Sequence, residues 1–538
     1  MAGLEGRQRA VAARGAALRG GARLQQGGHF PPFVAVAILG LVLVGCSVRG
    51  VGTWPAAPTD ERCEHAQMVR GQVEPGAQEV VVRPKKKAWE ATFGGEEAAR
   101  PHVRARLAGW PGRLLAPRPR RDETDREFMT RLAGDTWRGL SAFVDRDSRL
   151  PIDNVRLGAD PRVGDYTNIT TVGLRMIAIV AARELTLVSD AEAVAELRAL
   201  FGTLDRLERH AGFFFNYYDT TSLERSSNLV SFVDSSWLTA GLVVVRATFP
   251  ELGATATRLI RAQDYRFFYD GTVQRMSHGY YVHHASRSLF HYGVFYAESR
   301  LGSLIAIGKG DVPEAHWFRM VRTFPPACRW QAGQPVGRRP KDVRGHAFFG
   351  GWYEWGGVRF VPSWGGSAFE ALMPTLVLDE PRLAPANLGA NDVAQAGVQR
   401  RYALETLGYP VWGISPSATP SGLGYGEYGV RVLGSLGYPA GAVTPHASAL
   451  TLAVTPAEAV ANLRRLAERY DINGDFGLYD AVDPVSGEVA HAYLALDQSM
   501  ILIAAANYLK DGVVQRRFAA DPIVARVLPL LAAENFFD

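Results

Sequence analysis

Apolar residues recur every three to four positions through most of the chain from Asp125 onward, which is the period of amphipathic helices. Ser189 and Glu192 form the pattern of a capping box, and the apolar residues after them share one helical face as far as Leu207. Residues 455–458 repeat this start signal, with proline at the first helical position. Further helices are predicted over residues 127–144, 169–187, 233–248, 285–308, 312–323, 368–377, 392–407, 427–436, 446–454, 494–509 and 521–535.

Strand signals in the same region are few and short, as at residues 358–361, and no internal sequence repeat is evident. About a dozen helices with aromatic and glycine-rich loops between them predict an all-α fold. We therefore expect an α/α barrel, in which an inner ring of helices opens at one end into a loop-lined cleft.

The N-terminal segment has the pattern of an export signal. The first thirty residues carry five arginines and one acid, an apolar run follows at 33–44, and Cys46 comes directly after Gly45. We predict that residues 1–45 are a lipoprotein-type signal peptide and that Cys46 is lipidated, so that the protein is exported and membrane-anchored, facing the periplasm or cell surface. Two alternatives stay open: an uncleaved membrane anchor over residues 30–48, and a start codon assigned upstream of the true one.

Residues 46–126 are rich in Pro, Gly, Arg and Glu without a sustained apolar period, so we expect them to form a flexible tether. Residues 1–126 carry a net charge of +8, whereas the remaining 412 residues carry −3. The pI of about 9.0 therefore reflects the leader and the tether. Because the body of the chain is mildly acidic, we expect no nucleic-acid partner. We expect a membrane contact through the lipid anchor.

The composition, with 47% hydrophobic and 21% charged residues, is that of a folded globular protein. Three cysteines exclude a disulfide-stapled scaffold and a four-cysteine metal site, and a bridge between Cys63 and Cys328 stays open. Residues 424–429 fit GxGxxG but no strand precedes them, which argues against a dinucleotide site. A histidine cluster over residues 278–291 lacks the HExxH spacing. We accordingly predict no metal and no cofactor, with zinc at these histidines as the lesser alternative.

Carboxylates in aromatic, glycine-rich loops are the remaining candidates for chemistry. Because sugars expose polar edges and apolar faces, a saccharide cleft needs carboxylates and aromatic platforms together. Hydrolysis of a glycosidic bond needs one protonated and one ionised carboxyl group on opposite sides of that bond. The candidate acids are Asp219, Asp234, Glu298, Glu370, Glu427, Asp480, Asp483 and Asp497, and the candidate platforms include Trp330, Trp352, Trp355, Trp364 and Trp412.

Glu298 stands out because it lies on an otherwise apolar predicted helix. Desolvation there disfavours the charged carboxylate, and a protonated carboxyl group suits the role of general acid. The structural alternative is an ion pair with Arg300 or Arg287.

Several blocks of sequence, in order through residues 127–538, resemble the bacterial glucoamylase-like family of glycoside hydrolases. This family includes endo-β-1,2-glucanases and the C-terminal domain of cyclic β-1,2-glucan synthases. The resemblance covers the body of the chain and none of the leader. The matching blocks are AGFFFNYYDTTSL (211–223), SFVDSSWL (231–238), FYAESRLGSLIAIGKGDVPEAHWF (295–318), SWGGSAFEALMP (363–374), VWGISPSATPSGLGYGEYGV (411–430), VTPHASALTL (443–452) and GLYDAVDP (477–484).

The resemblance implies that residues 127–538 form an (α/α)6 catalytic barrel that cleaves β-1,2-linked glucan with inversion. It implies Glu298 as general acid, and Asp234 or Asp219 on the side of the attacking water. The residues expected to bind substrate are Tyr218, Tyr296, Trp352, Trp364, Glu370, Trp412, Glu427 and Asp497.

Two alternatives to an inverting hydrolase stay open. The block around Glu298 is more similar to the synthase form, which leaves transglycosylation or an exo mode of cleavage on β-glucan oligosaccharides. A protein of another class, a non-catalytic envelope lipoprotein that binds glucan in the same cleft, would keep the tryptophans without needing the two acids.

Overall fold

The computed structural model describes residues 120, 122–157, 161–421 and 424–538. The predicted signal peptide, the lipidated Cys46 and nearly all of the tether lie outside these residues. Cys328 is disulfide-bonded, and the other two cysteines of the chain also lie outside them. The helices are α1 (Asp125–Ala142), α2 (Ile169–Glu184), α3 (Asp190–Arg206), α4 (Phe232–Thr248), α5 (Gly253–Ala262), α6 (Ser299–Lys309), α7 (Ala315–Arg319), α8 (Ala368–Leu372), α9 (Glu380–Leu383), α10 (Leu388–Arg401), α11 (Pro445–Leu450), α12 (Pro456–Arg469), α13 (Ala495–Leu509), α14 (Val513–Ala519), α15 (Pro522–Ala525) and α16 (Leu528–Leu531).

The strands are short and lie in small antiparallel sheets in the loops between helices. They are β1 (Asn154–Arg156), β2 (Arg162–Val163), β3 (Tyr166–Asn168), β4 (Arg209–His210), β5 (Phe213–Phe214), β6 (Tyr217–Asp219), β7 (Leu229–Ser231), β8 (Tyr269–Asp270), β9 (Arg275–Ser277), β10 (Gly279–Tyr281), β11 (Ser286–Arg287), β12 (His291–Tyr292), β13 (Val336–Val343), β14 (His346–Trp355), β15 (Val358–Phe360), β16 (Ser417–Ala418), β17 (Tyr425–Gly426), β18 (Asn473–Gly474), β19 (Gly477–Leu478), β20 (Ala481–Val482), β21 (Val489–Ala490) and β22 (Ala492–Leu494).

Helices α6, α4, α2, α13, α11 and α8 pack side by side in that order, and a hydrogen bond between α6 and α8 closes the circuit. The Arg300 guanidinium donates this bond to the carbonyl oxygen of Ala371. Each of the six also packs against a second helix, which is α7, α5, α3, α1, α12 and α10 in turn. The fold is mostly helical, as predicted, and each of the six inner helices has an outer helix as its partner.

The burial of the two sets follows their sequences. All fourteen residues from Ile169 to Ala182 of α2 are buried, as expected for a helix that is apolar on every side. In α12 the buried positions, among them Val460, Leu463 and Leu466, form a single face. The outer helices thus keep one polar face for solvent, whereas the inner helices are enclosed by protein.

The C-terminal segment closes one end of the circuit. Arg517 pairs with Glu184 at the end of α2, and Asp521 accepts both hydrogen bonds from Arg246 in the last turn of α4. The side chain of Asn507, near the end of α13, accepts a hydrogen bond from the Val514 amide. Residues 513–521 therefore contact the C-terminal turns of α2, α4 and α13. The opposite end, where the inner helices begin, is the open end, and Tyr425 and Glu427 are exposed there.

Several predicted helices are confirmed, among them those over 169–187, 233–248 and 494–509 and the helix that begins with the Ser189 capping box. The prediction of a helix over 285–308 is wrong in its first half. There β11 and β12 pair with β10 and β9, and α6 begins only at Ser299. The predicted helix over 427–436 shrinks to a single helical turn at 431–433, and the one over 521–535 breaks into α15 and α16, each with proline in its first turn.

The longest strands were not predicted. β13 and β14 form a hairpin whose two-residue loop, Arg344 and Gly345, has positive φ at both positions. That is the geometry of a tight turn usually signalled by Asn-Gly or Asp-Gly, and Arg-Gly lacks the signal. The predicted strand at 358–361 is confirmed as β15, the third strand of the same sheet. Helices α5 and α14 were also missed.

Helices α2 and α4 approach each other at a pair of glycines. A Cβ atom at Gly173 would lie 2.3 Å from the carbonyl oxygen of Trp237, and one at Gly241 would lie 2.5 Å from the carbonyl oxygen of Gly173. These distances leave no room for a methyl group against rigid helix backbone. The close contact of α2 with α4 therefore depends on glycine at both positions.

We expect Gly173→Ala to lower the free energy of unfolding by about 1–3 kcal/mol, because the added methyl group overpacks this contact. The matched control is Gly202→Ala in α3, where nothing lies within 4 Å of the added Cβ. That change should raise stability by up to about 1 kcal/mol, because alanine favours a helix more than glycine does. Urea unfolding measures both, and equal effects of the two substitutions would contradict the close approach.

Candidate active site

The N-terminal ends of the six inner helices bring polar side chains to the open end of the circuit. Each of these helices contributes one such residue within its first turn or at its cap. They are Thr170 of α2, Asp234 of α4, Glu298 before α6, Glu370 of α8, His446 of α11 and Asp497 of α13. Helix N-termini carry a partial positive charge, which favours acidic side chains at such positions.

Glu298 occupies the N-cap position of α6 and is half-buried. Burial and, after it, the negative charge of Glu370 raise the pKa of its carboxyl group to about 8, although Arg300 acts in the opposite direction. At neutral pH this carboxyl group is therefore mostly protonated and able to give up a proton. The structural alternative of an ion pair with Arg300 is not what the structure has, because the Arg300 guanidinium pairs with Glu380.

Asp234 is the third residue of α4, whose N-cap is Ser231. The Thr170 hydroxyl donates a hydrogen bond of 2.7 Å to its Oδ1 and so ties α2 to α4 at the open end. Burial raises the pKa of this carboxyl group, and hydrogen bonds from Ser231 and Thr170 partly offset the rise. Its charge also acts on the Glu298 carboxyl group, which places the two acids in one site.

Glu370 is the third residue of α8 and completes a capping box with Ser367. Its Oε2 accepts hydrogen bonds from the amides of Gly365 and Ser367 and from the hydroxyls of Ser363 and Ser367, at 2.9 to 3.2 Å. Burial raises its pKa, and these donors lower it again. Among the described contacts Oε1 accepts a single bond, of 3.1 Å, from the Gly365 amide, so this oxygen is less engaged than Oε2.

Two tyrosines missed at the level of sequence complete this group. Burial raises the pKa of the Tyr292 hydroxyl far above its usual value, and the charges of Glu298 and Asp234 add to the rise. The Tyr438 hydroxyl is likewise raised by burial and then by Glu370. A Cβ atom at Gly365 would lie 2.1 Å from the Tyr438 ring, so glycine at 365 is what lets this ring lie beside the Glu370 loop.

A second acidic group lies at the starts of α11 and α13. His446, Asp480 and Asp497 are each about 1% exposed and offer oxygen or nitrogen atoms within 4.8 Å of one another. The His446 Nδ1 lies 3.1 Å from Asp497 Oδ2. Burial raises the pKa of Asp497 to about 7 and that of Asp480 well above its usual value, and it lowers the pKa of His446 to about 4.

Two carboxylates and an imidazole are ligands that a divalent cation accepts. A proton held by Asp480 also relieves the like charges of the two aspartates, which needs no metal. The prediction that the chemistry uses no metal and no cofactor therefore stays a prediction. Asp497, predicted to bind substrate, lies in this second group rather than beside Glu298.

Glu427 lies between the two groups on an exposed loop. Its charge acts on the Tyr438 hydroxyl of the first group and on the Tyr425 hydroxyl of the second. Asp480 and Asp497 act on Tyr425 as well, and 53% of the Tyr425 side chain is exposed. Glu427 is therefore close enough to both buried groups for its charge to act beside each of them.

Four residues predicted to bind substrate are corrected by the structure. Tyr218 and Tyr296 are fully buried, and their hydroxyls donate to the Glu208 carbonyl oxygen and to the Asp392 carboxylate. Trp412 is 3% exposed. Trp352 lies under the Arg359 guanidinium and against Gly337. A sugar face cannot reach these rings, which serve as packing between elements.

Trp364 is half-buried, precedes Gly365 and packs against Trp330 with ring centroids 5.7 Å apart, and its role in binding substrate stays a prediction. Asp219 is buried, and its Oδ1 accepts the amides of Thr221 and Ser222. These hydrogen bonds stabilise a turn. The contacts therefore favour Asp234 over Asp219 as the acid on the side of the attacking water.

The sequence held partial signals for the missed residues. His446 lies inside a block that carries the family resemblance, but no role came with it. Tyr292 lies three residues before such a block, in a segment that was predicted to be helical. Tyr438 follows a glycine in a loop, and only the tight contact with Gly365 shows its role.

Known proteins support this picture of the fold. Residues 343–522 match a family model described as "putative glucoamylase". The chain is 24% identical to the cyclic β-(1,2)-glucan synthase NdvB of Rhizobium meliloti over 76% of its own length and 19% of the synthase. It thus spans about a fifth of the length of that curated relative.

Two solved structures have the same fold. The "putative glucoamylase" of Bacteroides fragilis superimposes with a TM-score of 0.62 at 18% identity, covering 78% of this chain and 100% of that one. The endo-β-1,2-glucanase of Chitinophaga pinensis superimposes with a TM-score of 0.59 at 16% identity, covering 76% and 98%.

The fold is glucoamylase-like. This confirms the resemblance that the sequence blocks indicated. More particularly, this chain is similar both to a cyclic β-1,2-glucan synthase and to endo-β-1,2-glucanases.

Proposed function

We propose that this protein is a glycoside hydrolase that cleaves β-1,2-linked glucan by acid and base catalysis. The observation that carries the proposal is Glu298, a carboxyl group with a pKa of about 8 that shares its site with Asp234 and Glu370. Burial raises the pKa of all three carboxyl groups, and hydrogen bonds oppose that rise at Asp234 and Glu370. Breaking a glycosidic bond requires one protonated and one ionised carboxyl group in the same site.

In the proposed reaction the Glu298 hydroxyl donates its proton to the glycosidic oxygen as the bond from that oxygen to the anomeric carbon breaks. Asp234 accepts a proton from a water molecule, whose oxygen bonds to the anomeric carbon from the opposite face. The configuration at that carbon inverts. Glu298 ends as a carboxylate and Asp234 as a carboxylic acid, and exchange with solvent restores both.

The choice of substrate is supported by proteins similar to this one. The Chitinophaga pinensis structure is a complex with sophorotriose and glucose, and the synthase relative is named for cyclic β-(1,2)-glucan. The circuit of six helices with six partners supports an (α/α)6 barrel, whose open end would hold the glucan chain across the two acidic groups.

A second reaction, transglycosylation with retention, is favoured by one specific observation. Glu370 is the charge that acts most strongly on Glu298, ahead of Asp234. A retaining enzyme needs a carboxylate nucleophile close to its acid, about 5–5.5 Å away. NMR of the first product separates the two reactions, because inversion yields the α-anomer from a β-linked substrate and retention yields the β-anomer.

We also propose that the protein is exported and held by a lipid on Cys46, with residues 1–45 removed. The basic and apolar leader and the cysteine after Gly45 support this location. The disulfide bond of Cys328 is in keeping with an oxidising compartment. No helix among the described residues is long and apolar enough to cross a membrane.

We expect wild-type protein to release shorter oligosaccharides from linear β-1,2-glucan and to lose activity as the pH rises through about 8, because Glu298 must be protonated to act. Glu298→Gln should lower kcat on the order of 10³-fold, within the range for loss of a general acid. The control is Glu251→Gln, an exposed residue after the C-terminal end of α4. Binding of glucan without any cleavage by wild type would instead show a non-catalytic glucan-binding protein.

Asp234→Asn and Asp219→Asn should behave differently. Asp234→Asn removes the acceptor of the water proton and should lower kcat by about 10²-fold or more. Asp219→Asn should act mainly on thermal stability, because it weakens the turn at Thr221 and Ser222. Steady-state kinetics together with thermal unfolding measure both. A larger loss of kcat in the Asp219 variant would transfer the role to Asp219.

Cys46→Ala should move the protein from the membrane fraction to the soluble fraction of a bacterial host that processes lipoproteins, and should remove labelling by a palmitate analogue. Cys328→Ala is the control and should leave labelling unchanged. Membrane association of Cys46→Ala that resists salt would support the uncleaved anchor in place of the lipid.

A further inference from the structure

Arg300 lies in the first turn of α6, two residues after Glu298, and only 1% of its side chain is exposed. Its guanidinium donates four hydrogen bonds to fixed protein groups. Nε and Nη2 bind the two carboxylate oxygens of Glu380 at 2.9 and 2.7 Å, and the Tyr296 ring lies 4.6 Å away, below the guanidinium carbon. A buried arginine held in this forked manner has one orientation.

The two remaining hydrogen bonds connect the backbones that carry the acids. Nη1 donates to the carbonyl oxygen of Ala297 at 3.1 Å, and Nη2 donates to that of Ala371 at 2.8 Å. Ala297 directly precedes Glu298, and Ala371 directly follows Glu370. One rigid, planar group therefore joins the residue beside one acid to the residue beside the other.

This link joins α6 and α8, two neighbouring inner helices that share few other contacts. Helix α8 is only five residues long, and the Arg300 bond to Ala371 is the described hydrogen bond that connects α6 with it. Glu380, which opens α9 after the loop that follows α8, is fully buried and holds the guanidinium from the far side. The separation of the Glu298 and Glu370 backbones thus depends on Arg300.

A second buried arginine shows what a purely structural role looks like. Arg322 pairs with Glu534, donates to the carbonyl oxygens of Trp317 and Met320, and lies 3.8 Å from the Phe295 ring. The two arginines have the same kinds of partner and nearly the same burial. They differ in that none of the Arg322 partners adjoins a carboxyl group of the site.

We propose that Arg300 is a positioning residue that sets the distance and orientation between the Glu298 and Glu370 turns. This rests on the proposed function only in so far as those two acids act on a glycosidic bond. Arg300 itself does not touch substrate, because it is buried beneath both turns. Its charge adds a second effect, since it favours the ionised form of Glu298.

The pKa of Glu298 depends on the charged and titratable groups that surround it. These groups are Asp234 from α4, Glu370 from α8, Arg300 from α6, Tyr292 from β12 and Tyr438 from the loop before α11. Only Arg300 among them carries a positive charge. Removing that charge therefore raises the pKa of Glu298, whereas general loosening of the fold, which admits water, lowers it toward the ordinary value.

The experiment compares Arg300→Gln, Arg300→Lys and the matched control Arg322→Gln in the full chain. We expect Arg300→Gln and Arg322→Gln to lower the midpoint of thermal unfolding similarly. Arg300→Gln alone should lower kcat on linear β-1,2-glucan about 100-fold with little change in KM, the size of effect that a misplacement of about 1 Å produces. Its alkaline limb should move to higher pH. Arg300→Lys keeps the charge but not the fork, so it should lose kcat while its alkaline limb stays in place.

Carbon-13 NMR of the glutamate carboxyl groups, with Glu298 assigned through Glu298→Gln, reads the same pKa without turnover. A rise of the Glu298 pKa in Arg300→Gln and none in Arg322→Gln supports the proposal. Equal kcat values for the two glutamine variants with an unmoved Glu298 pKa overturn it. If Arg300→Gln does not fold, Arg300→Lys decides through its kcat relative to Arg322→Lys. Wild type that leaves β-1,2-glucan intact contradicts the proposed function alone, because the NMR comparison still tests Arg300.

Discussion

Desolvation of carboxyl groups at the starts of the inner helices is the constraint on which the chemistry of this fold depends. The partial positive charge of a helix N-terminus favours a carboxylate by about 0.3–1 kcal/mol, whereas one pKa unit corresponds to about 1.4 kcal/mol. The helix ends therefore cannot cancel a rise of the Glu298 pKa from 4.5 to about 8. Glu298 keeps its proton because burial and the neighbouring acids outweigh the helix. Glu370, which receives four short hydrogen bonds on one oxygen, has a compensation that Glu298 lacks.

The third position of an inner helix contributes both to the stability of that helix and to the candidate active site. Asp234, Glu370 and Asp497 are each the third residue of an inner helix, the position at which an acid can cap the free amides of the first turn. Glu370 does cap α8, through the amide of Ser367. Because the inner helices all start at the open end, capping positions on separate helices converge there. A cap on an isolated helix stabilises one turn, whereas caps on a closed circuit also build a cluster of like charges.

This convergence explains how far the sequence could predict the site. Helical periodicity located the long inner helices, but it wrongly predicted a helix at 285–298, where strand pairing decides the structure. The hairpin at 336–355 was not predicted. Glu298 was found because an acid on an apolar helix is unusual, and the role of Asp234 came from the family resemblance. The pattern Ser-x-x-Glu at 367–370 is indistinguishable from an ordinary helix start until Tyr438 and Glu298 are seen beside it. The burial of Tyr218, Tyr296 and Trp412 was likewise beyond sequence, since aromatic residues occur in cores and in sugar-binding clefts alike.

The presence of tyrosine side chains among the acids of the site has a physical reason. Tryptophan offers a large apolar ring with a single donor and is easily enclosed, as Trp412 is, whereas tyrosine carries a hydroxyl that can both donate and accept at the edge of a cleft. Tyr292, Tyr425 and Tyr438 all keep part of their surface exposed while their hydroxyls feel the acids of the site. Burial and like charge keep these hydroxyls protonated at any physiological pH. They are therefore permanent hydrogen-bond donors among carboxylates, which gives the open end of the circuit polar edges and apolar faces on the same side chains.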